Sequence, residues 1–337
     1  MTELERRYRS LLRVLPRPYR ETWADDMVAT FLQSMATDDV DGAEYVAEFG
    51  KPNWAEIVSV MALAIRLRLG GEGSSARYFA WGTAVRLVVL VGLLVNALLA
   101  TASVELLFWD AGSISWLPVP GGVSPADPLL IAGNLAGLLW LVAFFATVFG
   151  HRRAAAIFGS LAVVPGIVAA VSATMEWAVN GGPGFVLAMW VSVVVNILLV
   201  LALMAFHQDA AAVSHRPWLL ALGVGVVVNP LPIFAVLTPP DELLPLDWPG
   251  LCTWALVVVA LVYLVVPAVR SPARSLALAL LVAIAFVLRA VTVLDAWFFF
   301  DSAPTGLHLT ELAVLVVVGV SAAMFAGQWL RRLPQAV

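Results

Sequence analysis

Arg289 lies about fifteen residues into an apolar run that starts near residue 275, and a guanidinium that deep in hydrocarbon is costly unless an anion meets it. Two chemistries follow from the placement: a clamp for an anionic group or substrate, or a buried ion pair that fixes helix register. Glu311, Glu176 and Glu105, near the ends of three other apolar runs, are candidate partners, with Asp295 on the same run. Asp295 is six residues on, so an α-helix carries it roughly 240° away from Arg289. Glu311 is the first choice, because the short connection between the two runs makes them antiparallel neighbours.

Asn96, Asn134, Asn196 and Asn229 form a second constellation, each near the middle of a different apolar run. Three of them share a local pattern, Leu94-Val95-Asn96, Val194-Val195-Asn196 and Val227-Val228-Asn229, which is either a faint internal repeat or biased composition. Amides of this kind act as glue between helices or line a polar conduit. At Asn229-Pro230-Leu231-Pro232 two prolines in mid-run free backbone carbonyls, and broken helices of that type frame transporter sites. Pro165-Gly166 is a possible counterpart, and Gly133/Gly137 and Gly319/Ala323/Gly327 are spaced for close helix contact within or between subunits.

Other chemistry is poorly supplied. His151, His207, His215 and His308 are scattered, with no pair at metal-binding spacing. Cys252 is the single cysteine, so an intrachain disulfide is excluded. Nucleophile elbow, phosphate loop and kinase signature are all lacking; the sequence predicts no enzymatic role, no cofactor and no metal.

Composition dictates the elements that must carry these residues. A chain of 337 residues that is 61% hydrophobic and 12% charged has too few polar groups to cover a soluble surface. Eight apolar stretches, at roughly 82–108, 128–150, 154–177, 185–206, 218–238, 251–269, 275–300 and 309–330, are each long enough to cross a bilayer as a helix. Helices are required because backbone amides in lipid must be satisfied within the segment. Arg77, Arg86, Arg152, Arg153, Arg216, Arg270, Arg274, Arg331 and Arg332 fall on one side and acids such as Asp127, Asp241 and Asp301 on the other. The positive side is cytoplasmic, which predicts a multi-pass protein of the bacterial cytoplasmic membrane with both termini in the cytoplasm. Glu3, Glu5 and several Arg precede any apolar run, so no cleaved signal is expected.

The fold class is therefore all-α and polytopic: a small cytosolic module of four helices over 1–76, then a membrane domain over 77–337. In the module Thr2 and Glu5 have capping-box spacing ahead of Leu4, Tyr8, Leu11, Leu12 and Leu15. Pro18 opens a second helix with a stripe of Tyr19, Trp23, Met27, Phe31 and Met35, and a short piece around Tyr45 and Phe49 stops at Gly50. Asn53 and Glu56 cap the fourth, whose buried face is Ile57, Val60, Met61, Ala64, Ile65 and Leu69; Gly70-Gly71 closes it, and Gly-Glu-Gly-Ser-Ser is a short flexible linker.

The run LERRYRSLLRVLPRPYRETWADDMVATFLQSM, followed by EFGKPNWAEIVSVMALAIRLRLGG, resembles the N-terminal module of actinobacterial integral membrane proteins, the HAAS-type helical domain and the permease prefix domain. The shared marks are a Leu-Pro turn, an acidic second helix and a Glu-x-Gly-x-Pro step, here Glu48, Gly50 and Pro52. HAAS-type proteins often accompany PadR-like regulators, so the resemblance implies a sensor or regulator whose module meets a cytosolic regulatory protein. The first helix is more basic than that pattern, and no large extracytoplasmic domain follows. Arg6, Arg7, Arg9 and Arg13, interrupted by Ser10, could touch anionic membrane lipids. Acids outnumber bases in the module, which argues against nucleic acid. The alternatives to a regulator are a small-molecule transporter or permease component using Arg289 and the Asn229-Pro230 break, and, further off, an intramembrane enzyme acting on lipid.

Overall fold

The computed structural model describes residues 1–35, 48–110, 128–180, 186–206, 213–230, 248–300 and 306–333, with backbone only at 110, 128–130, 179–180 and 295–300. Twelve α-helices longer than one turn are present among them, and no strand. They are α1 (Glu3–Leu12), α2 (Arg17–Met35), α3 (Trp54–Arg68), α4 (Ala76–Asp110), α5 (Pro128–Gly137), α6 (Leu139–Val148), α7 (Arg152–Asn180), α8 (Val186–Ala202), α9 (His215–Val228), α10 (Trp248–Val265), α11 (Pro272–Phe300) and α12 (Gly306–Arg332).

Local chemistry starts two of the first three helices. The Glu5 N–H donates to Thr2 Oγ1 at 3.2 Å at the head of α1, and the Glu56 N–H donates to Asn53 Oδ1 at 2.7 Å at the head of α3. Leu4, Tyr8 and Leu12 of α1, Val28 and Phe31 of α2, and Val60, Ala64 and Leu67 of α3 then close on one another as a separate core. Tyr8 stacks on Phe31 with ring centroids 4.0 Å apart. Burying an aromatic pair of this kind adds about 0.5–1.5 kcal/mol beyond its area.

The observed face is narrower than the periodicity predicts. Trp23 of α2 and Met61 of α3 are exposed, and Leu67 is buried instead of Met61. The physical reason is supply: a three-helix cluster offers α3 only a strip of partner surface, and positions 60, 64 and 67 fill it. Trp54 (80% exposed), Val58 and Met61 consequently form an apolar strip turned away from that core. Phe49 is exposed as well, while the rest of the predicted third helix, including Tyr45, lies outside the described residues.

Helix α3 ends where only glycine serves. Gly70 has φ 81°, the Gly71 N–H donates to Arg66 O at 2.8 Å and the Gly70 N–H to Leu67 O at 3.4 Å, a doubled closure that satisfies the last carbonyls. The chain turns back at once, because the Ser74 N–H donates to Gly71 O at 3.0 Å, and α4 begins. The predicted flexible linker is instead a folded turn. A methyl group built on Gly82 would lie 1.8 Å from Leu69 O, and one on Gly70 would lie 2.8 Å from the Phe79 Cα. Backbone therefore rests on backbone between the end of α3 and the start of α4.

Among the described residues seven helices are long and apolar enough to cross a membrane, so the protein is a polytopic helical membrane protein. Helices α5 and α6 are two halves of one of them, Ile131–Val148, interrupted at Leu138. The fifth predicted span, 218–238, enters as the shorter α9; beyond Asn229 and Pro230 it lies outside the described residues. Helix α4 is the hub. Its Val89, Leu90, Leu93 and Ala97 pack with Trp140 and Phe144 of α6, Ala162 of α7, Leu199 of α8 and Leu222 of α9. Its Ala84 meets Leu276 and Ala277 of α11 and Ala326 of α12. A further core joins Ala260 of α10 to Val282 of α11 and Leu315 of α12. The outward sides stay apolar: Val168, Leu198, Val258, Val265 and Val317 are all exposed, the surface of a bundle meant for lipid.

Candidate functional site

Arg289 and Glu311 meet. Helices α11 and α12 are extensively packed antiparallel neighbours, and Arg289 Nε donates to Glu311 Oε2 at 2.7 Å, with a second guanidinium nitrogen on the same oxygen. Both are sealed, Arg289 being 2% and Glu311 1% exposed. Charge and countercharge cancel within the bundle. The arrangement is that of a closed ion pair, which leaves the guanidinium little freedom to clamp a ligand.

Of the other candidates, Glu176 is exposed near the end of α7, and the side chain of Asp295 lies outside the described residues. Asn96 and Asn196 come together: Asn96 Nδ2 donates to Asn196 Oδ1 at 3.1 Å, joining α4 to α8, and also to Gly92 O at 2.9 Å within its own helix. Asn134 is half-buried on α5. Helix α7 runs through Pro165 uninterrupted, so Pro165-Gly166 is no counterpart to the break at Asn229-Pro230. Gly319 approaches Val282, as its small size predicts, whereas Gly133 and Gly327 face open space.

The most unusual chemistry gathers around Asn229, at the point where α9 stops. Its N–H donates to Gly225 O at 2.9 Å, and Pro230, lacking an N–H, cannot continue the ladder to Val226. The side chain reaches across to α4, where Nδ2 donates to Leu98 O at 2.9 Å and to Thr101 Oγ1 at 2.8 Å. Thr101 spends its own hydroxyl proton on Leu98 O at 2.8 Å. Glu105, one turn further along α4, brings its carboxyl against the same amide. Asn229 is 1% exposed, yet its Oδ1 has no donor, and neither does the buried Oε2 of Glu105.

Two residues escape the sequence reading here. Thr101 looks like an ordinary span threonine, although its position four residues before Glu105 puts both on one helix face and was a usable signal. Arg86, counted above with the positive-side cations although it falls in the predicted span 82–108, is buried within α4: Nε donates to Gly82 O at 3.1 Å, a terminal nitrogen reaches Thr83 Oγ1 at 3.4 Å, and the guanidinium lies 6.0 Å over the Phe79 ring. Helix α4 starts at Ala76, six residues before the predicted span, so Arg86 sits nearly three turns into it.

The basic face of α1 is largely engaged with acids. Arg6 and Arg7 pair with Glu3, Arg9 with Glu5 and Asp25, and Arg7 also donates to Gly50 O at 2.9 Å. Arg13 remains exposed. In the same region the Tyr8 hydroxyl donates to Glu56 Oε1 at 2.7 Å, and burial, reinforced by that carboxylate, pushes the phenol well above its ordinary pKa. Among the described residues no three His, Cys, Asp or Glu cluster as a metal site. No protein-family model, curated protein or solved structure matches the chain.

Proposed function

We propose that the protein is a non-enzymatic sensor or regulator of the bacterial cytoplasmic membrane, with α1–α3 in the cytosol and both termini there. The observation that carries this reading is the seat between Leu69 and Gly82, where backbone meets backbone. A rigid seat lets α4, the hub of the bundle, reposition the N-terminal helices as a body when its neighbours shift. The exposed strip Trp54, Val58 and Met61 is the place at which a cytosolic regulatory protein would dock, in keeping with the HAAS-type resemblance. Anionic lipid headgroups beside Arg13 and self-association of the bundle are compatible additions.

A crosslinker at position 58 of the full-length protein, in cells, tests this. Capture of a defined cytosolic protein, lost on Trp54→Asp and altered by Gly82→Leu in membrane-inserted protein, supports the reading. Capture indifferent to Gly82→Leu removes the coupling. A small-molecule transporter is the second reading, favoured by the helix end at Asn229 beside Glu105; uptake in proteoliposomes that falls on Glu105→Gln would shift the balance to it. The Arg289 part of that alternative loses weight, since Glu311 already occupies the guanidinium.

A further inference from the structure

We infer that Glu105, Asn229 and Thr101 form an intramembrane binding site for one monovalent cation, a proton or an alkali ion. Donors and acceptors at this contact between α4 and α9 do not balance. The donors are the two N–H groups of Asn229 Nδ2 and the Thr101 hydroxyl, and Leu98 O and Thr101 Oγ1 already take them. On the acceptor side stand, in addition, the carboxyl of the half-buried Glu105, which shares the Asn229 amide, and two enclosed atoms without a donor, Asn229 Oδ1 and Glu105 Oε2. A buried acceptor left unmade costs about 1–3 kcal/mol, and two of them on hydrogen-bonded neighbours, one a carboxylate, favour a proton or a positive ion.

The donor set also fixes the class of ligand. It consists of carboxylate, amide, hydroxyl and backbone carbonyl oxygens, which suits a hard cation and offers nothing to a soft metal. One carboxylate supplies one negative charge, and a single positive charge neutralises it. The end of α9 adds to this, because a helix C-terminus carries partial negative charge and Pro230 withholds an N–H from it.

Among the described residues no other charge acts on Glu105. Helices α5, α6 and α8 bear no charged residue, and α9 bears only Arg216 and His215, at its opposite end. On α11, Arg274 lies at the far end, Arg289 is engaged with Glu311, and the Asp295 side chain is outside the described residues. Arg66, Arg68 and Glu56 of α3 meet α4 only at its start. The inference holds whether the protein signals or transports.

Thermal unfolding of the purified full-length protein in detergent tests the site, with sodium, potassium and choline chlorides at matched ionic strength and at acidic and mildly alkaline pH. An alkali-ion site predicts a midpoint raised by several degrees in one alkali salt over choline at alkaline pH, an advantage that vanishes in acid. A proton site predicts a rise on acidification in every salt. In either case Glu105→Gln, which keeps the shape and an acceptor oxygen but carries no charge, folds and abolishes the response, and Thr101→Val weakens the alkali response while keeping the packing. Wild type and Glu105→Gln responding alike to salt and pH overturns the proposal. So does Glu105→Gln melting well below wild type in every buffer, together with Thr101→Val leaving the salt and pH response intact.

Discussion

Glu311 and Glu105 are both acids set into membrane helices, yet their surroundings are opposite. Around Glu311 the charges cancel: Arg289 donates two nitrogens to one carboxylate oxygen, and the pair is closed from all sides. Around Glu105 only neutral groups gather, and acceptors outnumber donors. The first arrangement is neutral in charge as folded and favours a single packing of α11 on α12. The second is short of a positive charge, so its stability is linked to whatever supplies one. Depth in the membrane therefore does not by itself separate structural from ligand-binding acids; the balance of charge does.

The largest effect is expected where that balance is complete. Glu311→Ala or Arg289→Ala leaves an uncompensated buried charge and should cost about 3–5 kcal/mol in detergent unfolding, whereas Arg289→Met combined with Glu311→Leu should recover most of it. Gly82→Val comes next, at about 1–3 kcal/mol of overpacking, and should loosen α3 from α4, read as faster amide exchange over residues 60–69. Glu105→Gln should cost about 1 kcal/mol or less at neutral pH. A loss as large as that of Glu311→Ala would erase the contrast between the two acids.

Smaller still is the Asn96–Asn196 bond. Each alanine variant should lose about 0.6 kcal/mol, and the double variant hardly more than one of them, because either change breaks the same bond. The last effect is confined to alkaline solution. The folded pKa of Tyr8 is raised above the ordinary value of about 10, so the folded state holds that proton more tightly than the unfolded chain does. Its contribution is whole below pH about 10 and is lost as pH rises toward the folded value. Circular dichroism should show Tyr8→Phe flattening that alkaline decline.

The helical, membrane-spanning character was legible because hydropathy reports burial in lipid directly. Glu311 could be named as the partner of Arg289 since a short connection forces α11 and α12 together. Nothing local joins Thr101 to Asn229 across 128 residues, or Asn96 to Asn196 across 100, so those contacts wait on the packing of the bundle. Trp23 and Met61 fail for another reason: periodicity marks which residues could be buried, and neighbouring helices decide how many are. The burial of Arg86 was missed because charge counting says only which side a cation lies toward, while packing decides whether it is enclosed.

The seat of Leu69 on Gly82 contains no side chain at all on either of its touching faces. Its shape is a keyhole cut by the main chain, indifferent to the polarity of the residues around it and intolerant of one added methyl. The surfaces of α1–α3 can thus be rewritten to suit another recipient without disturbing how they are mounted, and a single carbon at position 82 is enough to prise the mount open.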